Sequence, residues 1–271
     1  MHERHEVYNK LQGETLVRKK LFDKYKERPL IKILPELNVI KIGGHGIIDY
    51  GRDVVLPLVE ELGTLSMQHQ ILLVTGGGVR VRHVMDIGLD LGMPTGILAE
   101  LTSKISEQNA MMMATLLAPW KAKRIHTTDL LELPTLFGMG AFPITHGTPP
   151  YGLYEHPSER SDGGIPPHRT DTGAFLAAEV LGAKRCILAK NVDGLYDKNP
   201  FNYPDATLIP EITASELIAM DLEDLVLERK LLEIMLESRN VACVQIVNGH
   251  KKGMITRALN GENIGTIIWA R

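Results

Sequence analysis

The sequence predicts an α/β fold in which a largely parallel central sheet is sandwiched by helices. An apolar run through Leu37, Val39 and Ile40 ends in Lys41-Ile42-Gly43-Gly44, and a second, Ile71-Leu72-Leu73-Val74, ends in Thr75-Gly76-Gly77-Gly78. Behind each glycine loop the apolar spacing changes to a helical period. Strand, glycine loop and helix, twice in succession, is how a parallel sheet is written in sequence. At 271 residues, with 44% hydrophobic and 5% aromatic content, the chain can bury a sizeable core as one domain or two lobes of one unit.

Residues 1–30 are dense in charge and lack a core stripe before Leu21 and Phe22, so an N-terminal arm is expected there and the folded domain over residues 31–271. The arm reads equally as a solvated extension or as a subunit contact. A strand over 38–42 leads to a helix near 53–66, where Val54, Val55, Leu58, Val59 and Leu62 share a face; a strand over 71–75 leads to a helix near 79–91. A third helix, from about 102 to 117, has Thr102 or Ser103 to cap its start and carries Met111, Met112 and Met113, which read as flexible core filling. Residues 138–170 break the regularity with glycine, proline and histidine, and long irregular loops in compact domains are commonly functional. Thr170-Asp171-Thr172-Gly173 then opens a helix to about 181. A strand over 186–189, the turn-rich stretch Asn191–Pro200, a strand over 243–247, a short helix near 253–259 and an end strand over 265–268 complete the order.

A formal net charge of −3 gives no basic surface for nucleic acid or anionic membrane. Cys186 and Cys243, the two cysteines, each fall in an expected buried strand and read as reduced core thiols, which fits a cytoplasmic protein. His2, Glu3, Arg4 and His5 are too polar for a signal peptide, and no apolar run approaches a membrane span.

Backbone N–H groups on glycine loops, with no side chain in the way, can close around phosphate or another oxyanion, so two such loops point to one anion pocket. Neither is a common phosphate signature. A P-loop places its lysine after the glycines, and a dinucleotide fingerprint needs a glycine where Val81 stands. Arg80, Arg82 and His83 follow the second loop at a helix head, where they suit an oxyanion or simply decorate an exposed helix. Glu132, His146, Glu155, His156 and His168 lie in or beside the irregular stretch. They read either as ligands and hydrogen-bond partners of a metal-oxide species or as plain loop residues.

Taken together, Lys41-Ile42-Gly43-Gly44, Gly76-Gly77-Gly78, Thr170-Asp171, Lys190–Pro200 with its Val-Asp-Gly-Leu-Tyr-Asp-Lys-Asn-Pro string, and Gly261-Glu262-Asn263-Ile264-Gly265-Thr266 resemble the amino acid kinase superfamily, which has the carbamate kinase-like fold and includes uridylate kinase. The resemblance implies ATP with Mg²⁺, the metal held by phosphate oxygens and one carboxylate. It implies Lys41 and Lys190 on the phosphates, Asp171 orienting both lysines or capping its helix, and the amides of Gly43, Gly44, Gly76, Gly77 and Gly78 completing the cradle. The loop carrying Asp193, Gly194, Tyr196, Asn199 and Pro200 is similar to the family segment around adenine and ribose, although a turn of that composition needs no ligand.

Within the superfamily, Ile33-Leu34-Pro35, Tyr50-Gly51-Arg52, Val79-Arg80-Val81-Arg82-His83, Pro149-Pro150-Tyr151 and the run Ile165 to Leu176 resemble the molybdenum storage branch, the last of these its alpha-type subunit. That branch implies a subunit storing molybdate or tungstate as oxide clusters, ATP hydrolysis driving uptake into an enclosed cavity, and assembly with itself or a homologous subunit into a hexamer. His168-Arg169 and Gly43-Gly44-His45 depart from the uridylate kinase pattern, and Gly152-Leu153-Tyr154-Glu155-His156 replaces the alpha subunit's histidine run. A uridylate kinase or other small-molecule kinase is the alternative reading.

Overall fold

The computed structural model describes residues 30–271, and the arm expected over residues 1–30 lies, apart from Leu30, outside the described residues. Lys32–Arg271 forms one compact unit. Its strands are β1 (Asn38–Ile42), β2 (Ile71–Thr75), β3 (Ala122–Arg124), β4 (Phe142–His146), β5 (Arg185–Lys190), β6 (Leu195–Tyr196), β7 (Leu208–Ile209), β8 (Glu211–Thr213), β9 (Cys243–Asn248) and β10 (Thr266–Trp269). Numbered from the first described α-helix, α1 is Arg52–Ser66, α2 Val79–Asp90, α3 Thr95–Leu116, α4 Leu133–Gly138, α5 Thr170–Leu181, α6 Ala214–Met220, α7 Arg229–Leu236 and α8 Met254–Leu259.

Eight strands form one sheet in the order β3-β4-β2-β1-β5-β9-β10-β8, while β6 and β7 pair as a separate antiparallel ribbon. Every neighbour in the large sheet is parallel except β9 with β10. β1 and β2 are buried at every residue, which explains their near-continuous apolar runs: a parallel sheet covered on both faces leaves no polar side.

Alternation along the strands sorts the core into two layers. Val39, Leu72, Val74 and Leu188 pack with Phe175 and Ala178 of α5, whereas Ile40, Ile42, Leu73 and Ile187 pack with Val55, Leu58 and Leu62 of α1 and with Met113 of α3. Lys41 has the parity of Val39, and Lys190 that of Leu188, so the two-residue period directs both ammonium groups to the α5 side. β1 is flanked by β2 on one side and β5 on the other, so the chain runs outward in both directions from it. Ligands of open α/β sheets bind beyond the carboxyl ends of the strands at such a reversal point.

Helix α3 starts at Thr95, not near 102, because Pro94 supplies the fixed backbone of its N-cap. Thr102 and Ser103 therefore sit inside the helix, donating to the carbonyls of Leu98 (2.8 Å) and Glu100 (2.7 Å) and capping nothing. Of the three methionines, Met113 is core, but Met111 and Met112 are 56% and 42% exposed. Cys186 is buried and Cys243 half-buried; both are free, and burial raises the pKa of each thiol. Among the described residues no helix is long and apolar enough to cross a membrane.

Candidate functional site

The two glycine loops meet at the carboxyl ends of β1 and β2. The Gly76 N–H donates to the Ile42 carbonyl at 3.0 Å, and a Cβ built on Gly44 would run into the backbone of Gly77 and Gly78. Only backbone without side chains can approach this closely. Asp49 fixes the pair. Its N–H donates to the Gly44 carbonyl at 2.8 Å, and its carboxylate accepts the Val79 N–H at 2.7 Å, capping α2 from the first loop. Gly78 has φ of +79°, and a Cβ there would overlap that same carboxylate.

Across the cavity floor, Asp171 bridges two lysines. Its Oδ1 lies 2.6 Å from Lys41 Nζ and its Oδ2 2.7 Å from Lys190 Nζ. Asp171 and Lys41 are only 3% and 5% exposed, so water screens this cluster little. Burial alone raises the pKa of Asp171, but the ammonium groups of Lys190 and then Lys41 outweigh it and hold the carboxyl below its ordinary range. Burial lowers the pKa of Lys190, against the pull of Asp171.

Asp171 does not cap its own helix. Glu228, from the segment before α7, accepts the N–H of Asp171 (2.9 Å) on one oxygen and the N–H of Thr172 (3.0 Å) on the other. With the first turn of α5 held by Glu228, the Asp171 side chain is free to face the lysines.

Above this floor lies a cavity of about 180 Å³ lined by Lys41, Gly44, Gly76, Gly77, Gly78, Arg82, His168, Arg169 and Glu228, among others. Three permanent cations face one carboxylate, and both oxygens of that carboxylate are already bonded to amides, so the cavity favours an anion. Gly43 and Lys190 stand behind the wall and not in it. A second cavity of about 280 Å³ is lined by Gly194, Tyr196, Asn199 and Pro200 together with Asp224, Leu225 and Val226. His45 and Arg82 belong to both cavities and mark where they join.

Several residues singled out in the sequence stand elsewhere. Arg80 donates to Gln108 Oε1 at 3.2 Å and to Asn109 Oδ1, which turns it onto α3. His83 is exposed outside both cavities. Asp193 is held by Asn248 (2.9 Å) and Lys251 (2.6 Å); hydrogen bonds from Lys251 and Asn248 lower its pKa. Glu132 is exposed at the end of a short turn. His146 ends β4 beside an apolar cavity of about 310 Å³, where burial lowers its pKa to about 4 and keeps the ring neutral at pH 7. Glu155, His156 and His168 do come together, apart from Glu132 and His146.

Sequence reading passed over Asp49 and Glu228, and named His45 only as a departure from the uridylate kinase pattern. Asp49 carried a weak local signal, a short acidic residue closing a glycine-rich turn, but Glu228 carried none, since it reaches α5 from 56 residues away.

The sequence pattern of the amino acid kinase family matches residues 36–248. The chain is 43% identical over 239 residues to the molybdenum storage protein subunit beta of Azotobacter vinelandii, covering 88% of each. It is 27% identical over 236 residues to the uridylate kinase of Methanobrevibacter smithii, covering 85% of this chain and 97% of that one. The crystal structure of uridylate kinase from Archaeoglobus fulgidus superposes with a TM-score of 0.66 over 85% of this chain and 99% of that chain at 22% identity, a likeness of fold. By the span of the family match and the identity to the storage subunit, the chain belongs to the amino acid kinase family.

Proposed function

We propose that the chain is a subunit of a cytoplasmic molybdenum storage protein that binds and hydrolyses MgATP to drive uptake of molybdate or tungstate into an enclosed cavity formed with a homologous subunit. The observation that carries this is the size and charge of the smaller cavity. At about 180 Å³ it is the smaller of the two joined cavities, and Lys41, Arg82 and Arg169 make its wall cationic, so it suits a compact oxyanion. The 43% identity to a storage subunit over 88% of both chains supports the same reading.

In this reading the nucleotide lies along the larger cavity with its phosphates toward the junction at His45 and Arg82. Phosphoryl transfer demands positioning and charge neutralisation more than covalent chemistry. The glycine amides offer donors fixed by the strands, and Lys41 and Arg169 supply positive charge. Asp171 keeps Lys41 and Lys190 at set positions so that neither must reorganise as charge develops. Mg²⁺ bound with the nucleotide would supply further charge neutralisation.

Assembly is supported by an exposed apolar groove of about 280 Å³ between α1 and α3, lined by Ile48, Val55, Leu56, Met112, Met113 and Leu116. The deciding experiment purifies the protein from cells grown with molybdate, measures bound metal by elemental analysis, and assays ATP consumption with and without UMP. Many molybdenum atoms per chain, with ATP consumption indifferent to UMP, are expected. Metal-free protein with brisk UDP formation overturns the proposal in favour of the kinase reading.

A further inference from the structure

Beside the oxyanion cavity, Glu155 is a buried carboxylate with one oxygen against His168 and the other unpartnered among the described residues. Its side chain is 1% exposed; Oε1 lies 2.6 Å from His168 Nδ1 and 4.0 Å from His156 Nε2. Oε2 is buried and, among the described residues, has no hydrogen-bond partner. A buried carboxylate oxygen without a partner is costly.

Neighbouring groups orient the two histidines. His156 Nδ1 lies 3.1 Å from the Pro157 carbonyl, an acceptor only, which leaves Nε2 as the ring nitrogen facing Glu155. The His168 ring is held edge-on between Tyr151 (centroids 5.6 Å apart) and His156 (5.1 Å).

We propose that Glu155 Oε1, His156 Nε2 and His168 Nδ1 bind a divalent transition cation of the Zn²⁺ class, leaving a fourth position open. The three ligand atoms lie within 4.8 Å of one another. Zn²⁺ bonds of about 2.0–2.2 Å in tetrahedral array put ligand atoms roughly 3.3 Å apart, a spacing that the 2.6 and 4.0 Å from Glu155 to the two histidines straddle. One carboxylate and two imidazoles are the donor set of a borderline metal; Ca²⁺ and Mg²⁺ call for oxygen ligands throughout. Entry is from the side of His156, which is 58% exposed. His168 also lines the oxyanion cavity, so a bound cation adds positive charge at its rim.

The test uses the full chain, stripped with chelator and titrated with Co²⁺ and then Zn²⁺ in the absence of nucleotide and molybdate, so that its result is independent of the storage proposal. About one Co²⁺ per chain is expected, with the visible bands of a four-coordinate site that Zn²⁺ erases. His156→Ala is expected to weaken Co²⁺ binding by at least about tenfold, as loss of even an outer-shell partner of a metal does, while His83→Ala leaves it unchanged. Because His156 is largely exposed, the metal-free melting temperature of His156→Ala should match that of the unsubstituted chain, separating lost ligation from lost fold. Substoichiometric Co²⁺ uptake, or equal affinity in His156→Ala, overturns the assignment.

Discussion

Replacing Asp171 by asparagine tests the centre of the site, because it keeps the volume and removes only the charge. Lys41 and Lys190, at 2.6 and 2.7 Å from the two carboxylate oxygens, would then face each other with no counter-ion between them. Breaking a buried pair by deleting one partner costs about 3–5 kcal/mol, against roughly 0–1 kcal/mol for an exposed pair such as Lys198–Asp205. At roughly 2–4 °C per kcal/mol for a domain of this size, Asp171→Asn should lower the melting temperature by about 6–20 °C and Asp205→Asn by far less.

The pH dependence gives a second readout. In Asp171→Asn the folded state disfavours protonated lysine relative to the unfolded chain, so the unfolded state binds more protons and stability must rise with pH; a scan from pH 7 to 9 should recover part of the loss. In the unsubstituted protein the sign is the same but the window lies in acid. The Asp171 carboxyl is held low by Lys190 and Lys41, so its contribution is complete above the unfolded carboxyl pKa near 3.8 and is lost only as pH falls through the lower folded value. Differential scanning fluorimetry across pH measures both effects. A variant melting within about 2 °C of the parent at pH 7, with no recovery at pH 9, would refute the claim that this carboxylate is what tolerates two buried ammonium groups.

Gly44→Ala should abolish ATP and oxyanion binding by calorimetry, because the new Cβ meets backbone of the second glycine loop, which cannot swing aside as a side chain can. Glu228→Gln replaces one of two amide acceptors with a donor facing an N–H and should cost about 1–3 kcal/mol in urea unfolding, with ATP turnover falling as Asp171 loses its anchored helix start. His146, with a folded pKa of about 4 against 6.5 unfolded, makes the unfolded chain the better proton acceptor below neutrality. Stability should fall by about 2 kcal/mol between pH 7.5 and 5, and His146→Gln should flatten that slope in pH-dependent denaturation.

What the sequence made legible follows from period and from glycine. Continuous apolar runs marked β1 and β2 because both faces of those strands are covered, and their bounds are read to the residue. The family resemblance put Lys41 and Lys190 on one ligand, and the register of β1 with β5 supplies the reason, turning both ammonium groups to one side of the sheet. β4 escaped notice because Pro143 and His146 interrupt its pattern at the entrance to the irregular stretch, and β3, at the sheet edge, has only three residues and no buried one. Arg80 looked like an anion ligand from its place after the glycines, but a helix turns successive side chains by about 100°, so it faces α3 while Arg82 faces the cavity. Glu155, His156 and His168 were visible as residue types, but only the fold brings His168 back across thirteen positions to Glu155.

The carboxylates change how the pocket attracts its ligand. Helix starts usually offer free amides to an anion, yet Asp49 already occupies the first amide of α2 and Glu228 two amides of α5. Attraction therefore rests on side-chain cations and the glycine loops. Lys41, Arg82 and Arg169 against Glu228 leave two positive charges in the wall, and adding the Lys190–Asp171 pair behind it leaves that excess unchanged. A dianion such as molybdate matches this lining excess more closely than a monoanion of similar size. Discrimination by charge should thus be strongest at low ionic strength and weaken as the Debye length shortens, from about 30 Å at 0.01 M salt to about 10 Å at 0.1 M. Competition between molybdate and perchlorate across that range measures it directly, and equal competition at 0.01 M would show that shape, not charge, selects the ligand.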